Sequence, residues 1–232
     1  MTLYMVRLRQ EYREQLAQIE HQTLGGLDMV LVALDRSIGA LLDHDVELAS
    51  IVVADDDRID GRYLETHQAI LSLLALQAPV AGDLRVVAAL LHVIRHIERM
   101  GDQCVTIAKM IPLDGREPTI DRPLLDLIAR MATLVRAQIV QAQRAFGARA
   151  VPLAEELLLL DRDVNLLNRE IFARAVAIGD EPDLREWAMH MTLVSRCLER
   201  IGDNAVDIGE QTAFVVTGLF REFSDASRVA IR

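Results

Sequence analysis

The chain has 232 residues, 51% of them hydrophobic, 26% charged and only 4% aromatic, which is ample for a large core and excludes an intrinsically disordered chain. Its net charge of −10 argues against duplex nucleic acid as a partner, because phosphates demand a basic face. An acidic balance fits a cation, a basic partner surface or plain solubility.

The first segment begins MTLYMVRLRQEYREQLAQIE, which lacks the uninterrupted apolar core of a signal peptide. No run of about 18 apolar residues occurs without a charge, so no direct membrane insertion is expected and the simplest reading is cytoplasmic. Tyr12, Leu16, Ile19, Leu27, Val30, Leu34, Ile38 and Leu41 line one helical face of this segment. Breakers then fall near Asp43–Asp45, at 78–83 (APVAGD), across 112–123 (PLDGREPTIDRP), at 147–152 and at 179–183 (GDEPD). Five breaks leave six long segments with apolar residues at helical spacing and no β alternation. Asp121, just ahead of Pro123, reads as the N-cap of the fourth segment. In the fifth, Leu153, Leu157, Leu160, Val164, Leu167 and Ile171 step by four and three, as in a bundle seam. The fold class is all-α.

The two halves resemble each other. RHIERMGDQCVTIA (95–108) aligns with RCLERIGDNAVDIG (196–209) at a shift of 101, and ADDDRIDGRYLE (54–65) with LLDRDVNLLNRE (159–170) at a shift of 105. A tandem repeat of two three-helix bundles, six long helices in all, accounts for both. The expected division is a first bundle at 1–111, a linker at 112–122, a second bundle at 123–221 and a C-terminal tail at 222–232.

Each repeat carries acids at i,i+4 on two helices. The third helices supply Glu98/Asp102 and Glu199/Asp203, with Asp207 a further turn along and Glu210 beyond it. The second helices supply Asp56/Asp60 and Asp161/Asn165. Like charges at this spacing repel by about 0.2–0.5 kcal/mol per pair, and a bound cation would turn the repulsive neighbours into shared ligands. Oxygen donors without soft ligands favour Mg²⁺, Mn²⁺ or iron over zinc. The other reading is a solvated face whose carboxylates are neutralised by Arg95, Arg99, Arg196 and Arg200. Duplication of the pattern is what that reading explains poorly.

Other features are weaker. Gly101 and Gly202, inside the two ERxGD motifs, point to close approach of another helix rather than to a part in the site. His92 and His96 have the spacing of a metal pair but lie off the acidic stripe, and read as packing or surface residues. Cys104 and Cys197 stand in no CxxC, so neither a disulfide framework nor a zinc knuckle is indicated. There is no ExxH of the ferritin-type di-iron proteins, no phosphate-binding loop of GxxxxGK[ST] form and no nucleophile elbow. No catalytic group stands out.

The tandem ERxGD motifs, the D-x3-D/N helices ahead of them and QAPVAGDLR (77–85) together resemble the PhoU family, over nearly the whole chain. The resemblance implies two similar three-helix bundles, often dimeric, without enzymatic activity. It implies a regulator that restrains phosphate uptake and the phosphate-starvation response by contacting the ATPase subunit of the phosphate ABC transporter and the phosphate-sensing histidine kinase. Such a protein would be cytoplasmic, reaching the inner membrane only through these partners. Some members bind multinuclear iron or other divalent metals at E(D)xxxD faces. Carried over, the first site is Asp56, Asp60, Glu98 and Asp102, and the second is Asp161, Asn165, Glu199, Asp203 and Asp207. Thr106 in place of Asp207, and Asn165 opposite Asp60, make the two unequal. Asp83 of the DLR triplet is expected either to cap the third helix or to serve in an interaction. The alternative kept beside this is a carboxylate-rich helical-bundle metal protein or metalloenzyme unrelated to phosphate signalling. A purely structural interaction module is the third reading.

Overall fold

A computed structural model of the chain describes residues 2–77, 79–111 and 120–223, with side chains from Arg9 onward and Ala81 excepted. Of the expected linker only residues 120–122, and of the C-terminal tail only 222 and 223, fall among the described residues. The described elements are α1 (Thr2–Asp43), α2 (Val46–Ala54), α3 (Asp56–Gln77), α4 (Ala81–Lys109), α5 (Arg122–Ala148), α6 (Val151–Val176) and α7 (Pro182–Thr217). No strand occurs among the described residues, and none of their helices is long and apolar enough to cross a membrane.

The second expected helix is bent into two, α2 and α3, at Asp55. Asp55 stays close to helical (φ −78°, ψ −5°) and its N–H still donates to the Ile51 carbonyl. Its carboxylate accepts from Arg36 Nη1 of α1 at 2.8 Å. The bend leaves Asp56 and Asp57 in the first turn of α3, where the positive end of the helix dipole favours them. An acid run in mid-helix would lack that compensation.

Caps explain most of the remaining ends. Asp45 Oδ1 accepts from Leu48 N at 2.9 Å and Asp121 Oδ1 from Leu124 N at 2.8 Å, so the expected cap at Asp121 is present. Arg174 of α6 donates to both Asp121 oxygens, at 2.6 and 2.8 Å. Gly218 ends α7 in the left-handed region at φ 76°, the usual glycine role. Arg149 ends α5 at φ 53° although it has a Cβ. Its guanidinium donates to Phe146 O and to Glu20 and lies over the Phe146 ring. Asp83 is not a cap: α4 is preceded by Val80 without a side-chain cap, and Asp83 lies in the first turn.

The halves do not form two separate cores. One buried cluster contains Leu27, Leu34, Ile70, Leu90 and Met100 together with Ile128, Met131, Leu157, Val164 and Leu198. Along the α1–α5 contact Glu20 meets Arg149, Asp28 meets Gln143 and Asp35 meets Arg136, so these helices run antiparallel. The α4–α7 contact behaves likewise, with Arg85 against Gly218 and His96 against Asn204. First helix on first helix and third on third is the arrangement of a pseudo-two-fold repeat, and it leaves α3 and α6 on the outside of their halves. Gly101 and Gly202 serve packing, as their place in the motifs implied. A Cβ at Gly101 would lie 3.0 Å from Ile59 Cδ1 of α3, and one at Gly202 would lie 2.6 Å from Gln138 Oε1 of α5.

Candidate metal-binding faces

The first face lies between α3 and α4. Asp56 is half-buried, and its pKa is raised by burial and then by Asp60 and Asp102, with Lys109 opposing. Glu98 is raised by burial, Asp102 and Asp60, against Arg95 and Arg99. Asp102 is raised by burial and by Asp60, against Lys109. These mutual effects mean that the four acids share one electrostatic environment. Among the described residues no cation stands within ion-pair distance of any of them.

The second face lies between α6 and α7. Asp203 is exposed, yet its carboxyl is pushed up to about 6 by desolvation and then by Asp161 and Glu199, with Arg196 opposing and Asp207 adding last. Asp161 is raised by burial, with Glu199 adding and the Gln138 and Asn165 amides opposing. Asn165 Nδ2 donates to Asp161 Oδ2 at 2.8 Å, whereas Asp161 Oδ1 is buried and has no partner. Glu199 forms an ion pair with Arg196 one turn earlier. The neutralisation expected from neighbouring arginines therefore operates here, through one guanidinium.

Asp207 faces another way as well. Its Oδ2 is 3.4 Å from His96 Nδ1, which also lies 2.8 Å from Asn204 Oδ1. His96 is thus neither surface nor plain packing but a polar bridge from α4 to α7. Burial lowers its pKa, a trend opposed by Asn204 and Asp207. His92 does not join this bridge. Glu210, the last acid of the stripe, accepts from Phe223 N at 2.6 Å and pins the chain beyond α7. In the first repeat Thr106 donates back to Asp102 O of its own helix.

Sequence reasoning missed Gln138 entirely. It lies on α5, outside both repeated motifs, and the signal available was a polar residue on the apolar face of an amphipathic helix. The donor set at both faces is oxygen only, which suits a hard cation, and the mutual repulsion that adds to burial in raising these carboxyls is what a bound cation would offset. Among the described residues no three His, Cys, Asp or Glu side chains already stand together as a metal cage. The carboxylates stand apart, as like charges do. Both thiols, Cys104 and Cys197, are buried and free, and burial raises their pKa values.

The PhoU domain family model matches this chain twice, at residues 26–111 and 128–212. A phosphate-specific transport system accessory protein PhoU homolog from Mycobacterium leprae is 28% identical over 93% of this chain and 96% of its own length. The corresponding homolog from Zymomonas mobilis is 30% identical over 84% and 81%. Among solved structures, the phosphate transport system regulatory protein PhoU from Streptococcus pneumoniae superposes with a TM-score of 0.82 at 21% identity, over 91% of this chain and 99% of that one. PhoU from Pseudomonas aeruginosa gives 0.80 at 23%, over 90% and 100%.

Proposed function

The chain belongs to the PhoU family, whose members are regulatory accessory proteins and not enzymes, and on that premise we propose that it restrains phosphate uptake and phosphate-starvation signalling when phosphate is plentiful. The observation that carries this reading is the double match of the family domain, each copy bearing its own acidic face. The protein would act in the cytoplasm as a homodimer, contacting the ATPase subunit of the phosphate ABC transporter and the phosphate-sensing histidine kinase. Deleting its gene is expected to switch on phosphate-starvation genes in high phosphate, read with a transcriptional reporter. Unchanged expression would contradict the reading.

The acidic faces would hold a divalent or trivalent cation such as Mn²⁺, Mg²⁺ or iron. Asp56, Asp60, Glu98 and Asp102 would supply the oxygens of the first. Asp161, Asn165, Glu199 and Asp203 would supply those of the second, with Asp207 at its far end. The cation would join neighbouring helices and stiffen the surface offered to partners. Arg196 competes with it for Glu199. Arg196→Gln is therefore expected to tighten Mn²⁺ binding at the second face about fivefold, the worth of an ion pair whose guanidinium is solvent-exposed. Calorimetric titration with Mn²⁺ checks this, and a weaker or equal affinity would show that Glu199 takes no part.

A further inference from the structure

The helices do not end level. A Cβ at Gly26 of α1 would lie 3.1 Å from Ile97 Cγ2 of α4 and 3.9 Å from Arg62 Cγ of α3. Tyr12 of α1 keeps the same sequence offset to Asp83 of α4, which adds to burial in raising the tyrosine pKa, so α1 and α4 run parallel. In this register α4, which starts at Ala81, and α3, which stops at Gln77, both end at about the level of Gln10 and Glu11. Arg85 against Gly218 brings the end of α7 to the same level. α1 nevertheless starts at Thr2, so its first turns project past their neighbours by about eight residues, ~12 Å. Arg9, Gln10 and Glu11, which span more than half the helix circumference, are all exposed, and Tyr12 is buried.

The projecting turns read MTLYMVRLRQ. Their only charges are Arg7 and Arg9, on a chain of net charge −10 whose first acid is Glu11. Leu3, Tyr4, Met5 and Val6 are four successive apolar residues and occupy every quarter of the helix at 100° per residue. A helix lying on a protein surface needs an apolar stripe, whereas one apolar all round suits immersion. At the base of the projection Leu76, Val80, Leu84, Leu219 and Phe220 are exposed, Val80 by 75% and Phe220 by 66%. Clustered apolar exposure marks an interaction surface. A second copy meeting this end symmetrically would bring the arginines of both together. Anionic headgroups would instead pair with them while the apolar turns enter the acyl boundary.

We propose that this end of the molecule docks on an anionic lipid surface through the projecting turns of α1, with the exposed apolar residues of α3, α4 and the chain after α7 at the rim. The contact is interfacial and spans nothing. It goes beyond a membrane approach made only through protein partners, and it is independent of the cation reading of the acidic faces.

Flotation of the full-length protein with vesicles tests this, using phosphatidylglycerol and phosphatidylcholine in equal parts against phosphatidylcholine alone. Binding is expected on the anionic vesicles, weaker on the neutral ones and weaker again in high salt. Arg7→Gln with Arg9→Gln should reduce it about 25-fold, at about fivefold for each arginine near an anionic surface. Val6→Asp should reduce it about tenfold, the worth of one buried aliphatic side chain. The melting temperature should not move in either variant, because these turns lie beyond the packed helices. No flotation with anionic vesicles, equal flotation with neutral ones, or binding that survives both variants overturns the proposal. Self-association without lipid that Val6→Asp disperses would assign this end to a second copy and overturns it too, as would a lowered melting temperature in both variants.

Discussion

Asp203→Asn is expected to stabilise the cation-free protein and to abolish its stabilisation by Mn²⁺ at the second face. The folded carboxyl titrates at about 6 instead of 3.8, because it is desolvated and faces Asp161 and Glu199. Between those two values the native state binds more protons than the unfolded one. Stability therefore falls as the pH climbs through this window and stays lower above it. The whole shift would correspond to about 3 kcal/mol, but a solvent-open side chain keeps only part of that, about 1 kcal/mol. The substituted amide carries no charge, so the variant should gain that amount at neutral pH and lose the slope between about pH 4 and 6. With Mn²⁺ the sign reverses. A saturating cation at a hundredfold its Kd adds about 2.7 kcal/mol to the wild type, and the variant forfeits what the second face contributes. Thermal unfolding from pH 4 to 8, with and without Mn²⁺, reads both effects. A variant that is less stable at pH 7 without cation and equally responsive to Mn²⁺ would show that Asp203 is an ordinary surface acid.

The second large effect is purely structural. Asp121→Ala removes an N-cap and one partner of a bidentate ion pair at once. Asp121 is held below the usual carboxylate range by its hydrogen bonds from Arg174 and then from the Leu124 N–H, against a burial effect that raises it. A depressed carboxylate contributes stability that is present above its ordinary pKa and is lost as the pH falls through the lowered one. Loss of the cap alone costs about 1 kcal/mol, and a charge-assisted pair whose carboxylate is mostly buried adds a similar amount, so about 2 kcal/mol is expected at pH 7. Chemical denaturation at pH 7 and at pH 2.5 checks it. The gap between variant and wild type should shrink at the lower pH, and a constant gap would mean that the cap and not the charge dominates.

The helical architecture was legible because it depends on spacing. Of the expected seam, Leu157, Val164, Leu167 and Ile171 are buried and Leu153 and Leu160 half-buried, and Asp121 caps where Pro123 implied. Three local features were not legible. The bend at Asp55 needs Arg36, nineteen residues earlier, and no local pattern announces a distant guanidinium. Asp83 looked like a cap by residue type, but the extended backbone belongs to Val80, and cap identity follows from dihedral angles. His96 read as a packing or surface residue because its partners, Asn204 and Asp207, belong to the other repeat. The acidic motifs themselves were plain in the sequence. Of their surroundings, Arg196 on Glu199 was within reach, because the two stand one turn apart on α7; the lack of a paired cation at the first face among the described residues, and Gln138 of α5 against Gly202 of α7, were not, because they depend on how separate helices pack.

Each half of the protein brings carboxylates from two adjacent helices into one strained environment, which a hard cation would relieve. Anomalous diffraction from Mn²⁺-soaked crystals, recorded at the manganese edge, addresses this directly. The expected map has a peak between α6 and α7 within ligand distance of Asp161 and Asp203, and a weaker one between α3 and α4 near Asp60 and Asp102. Crystals saturated with Mn²⁺ that show no peak at either face, with Glu199 still held by Arg196, would contradict the cation reading.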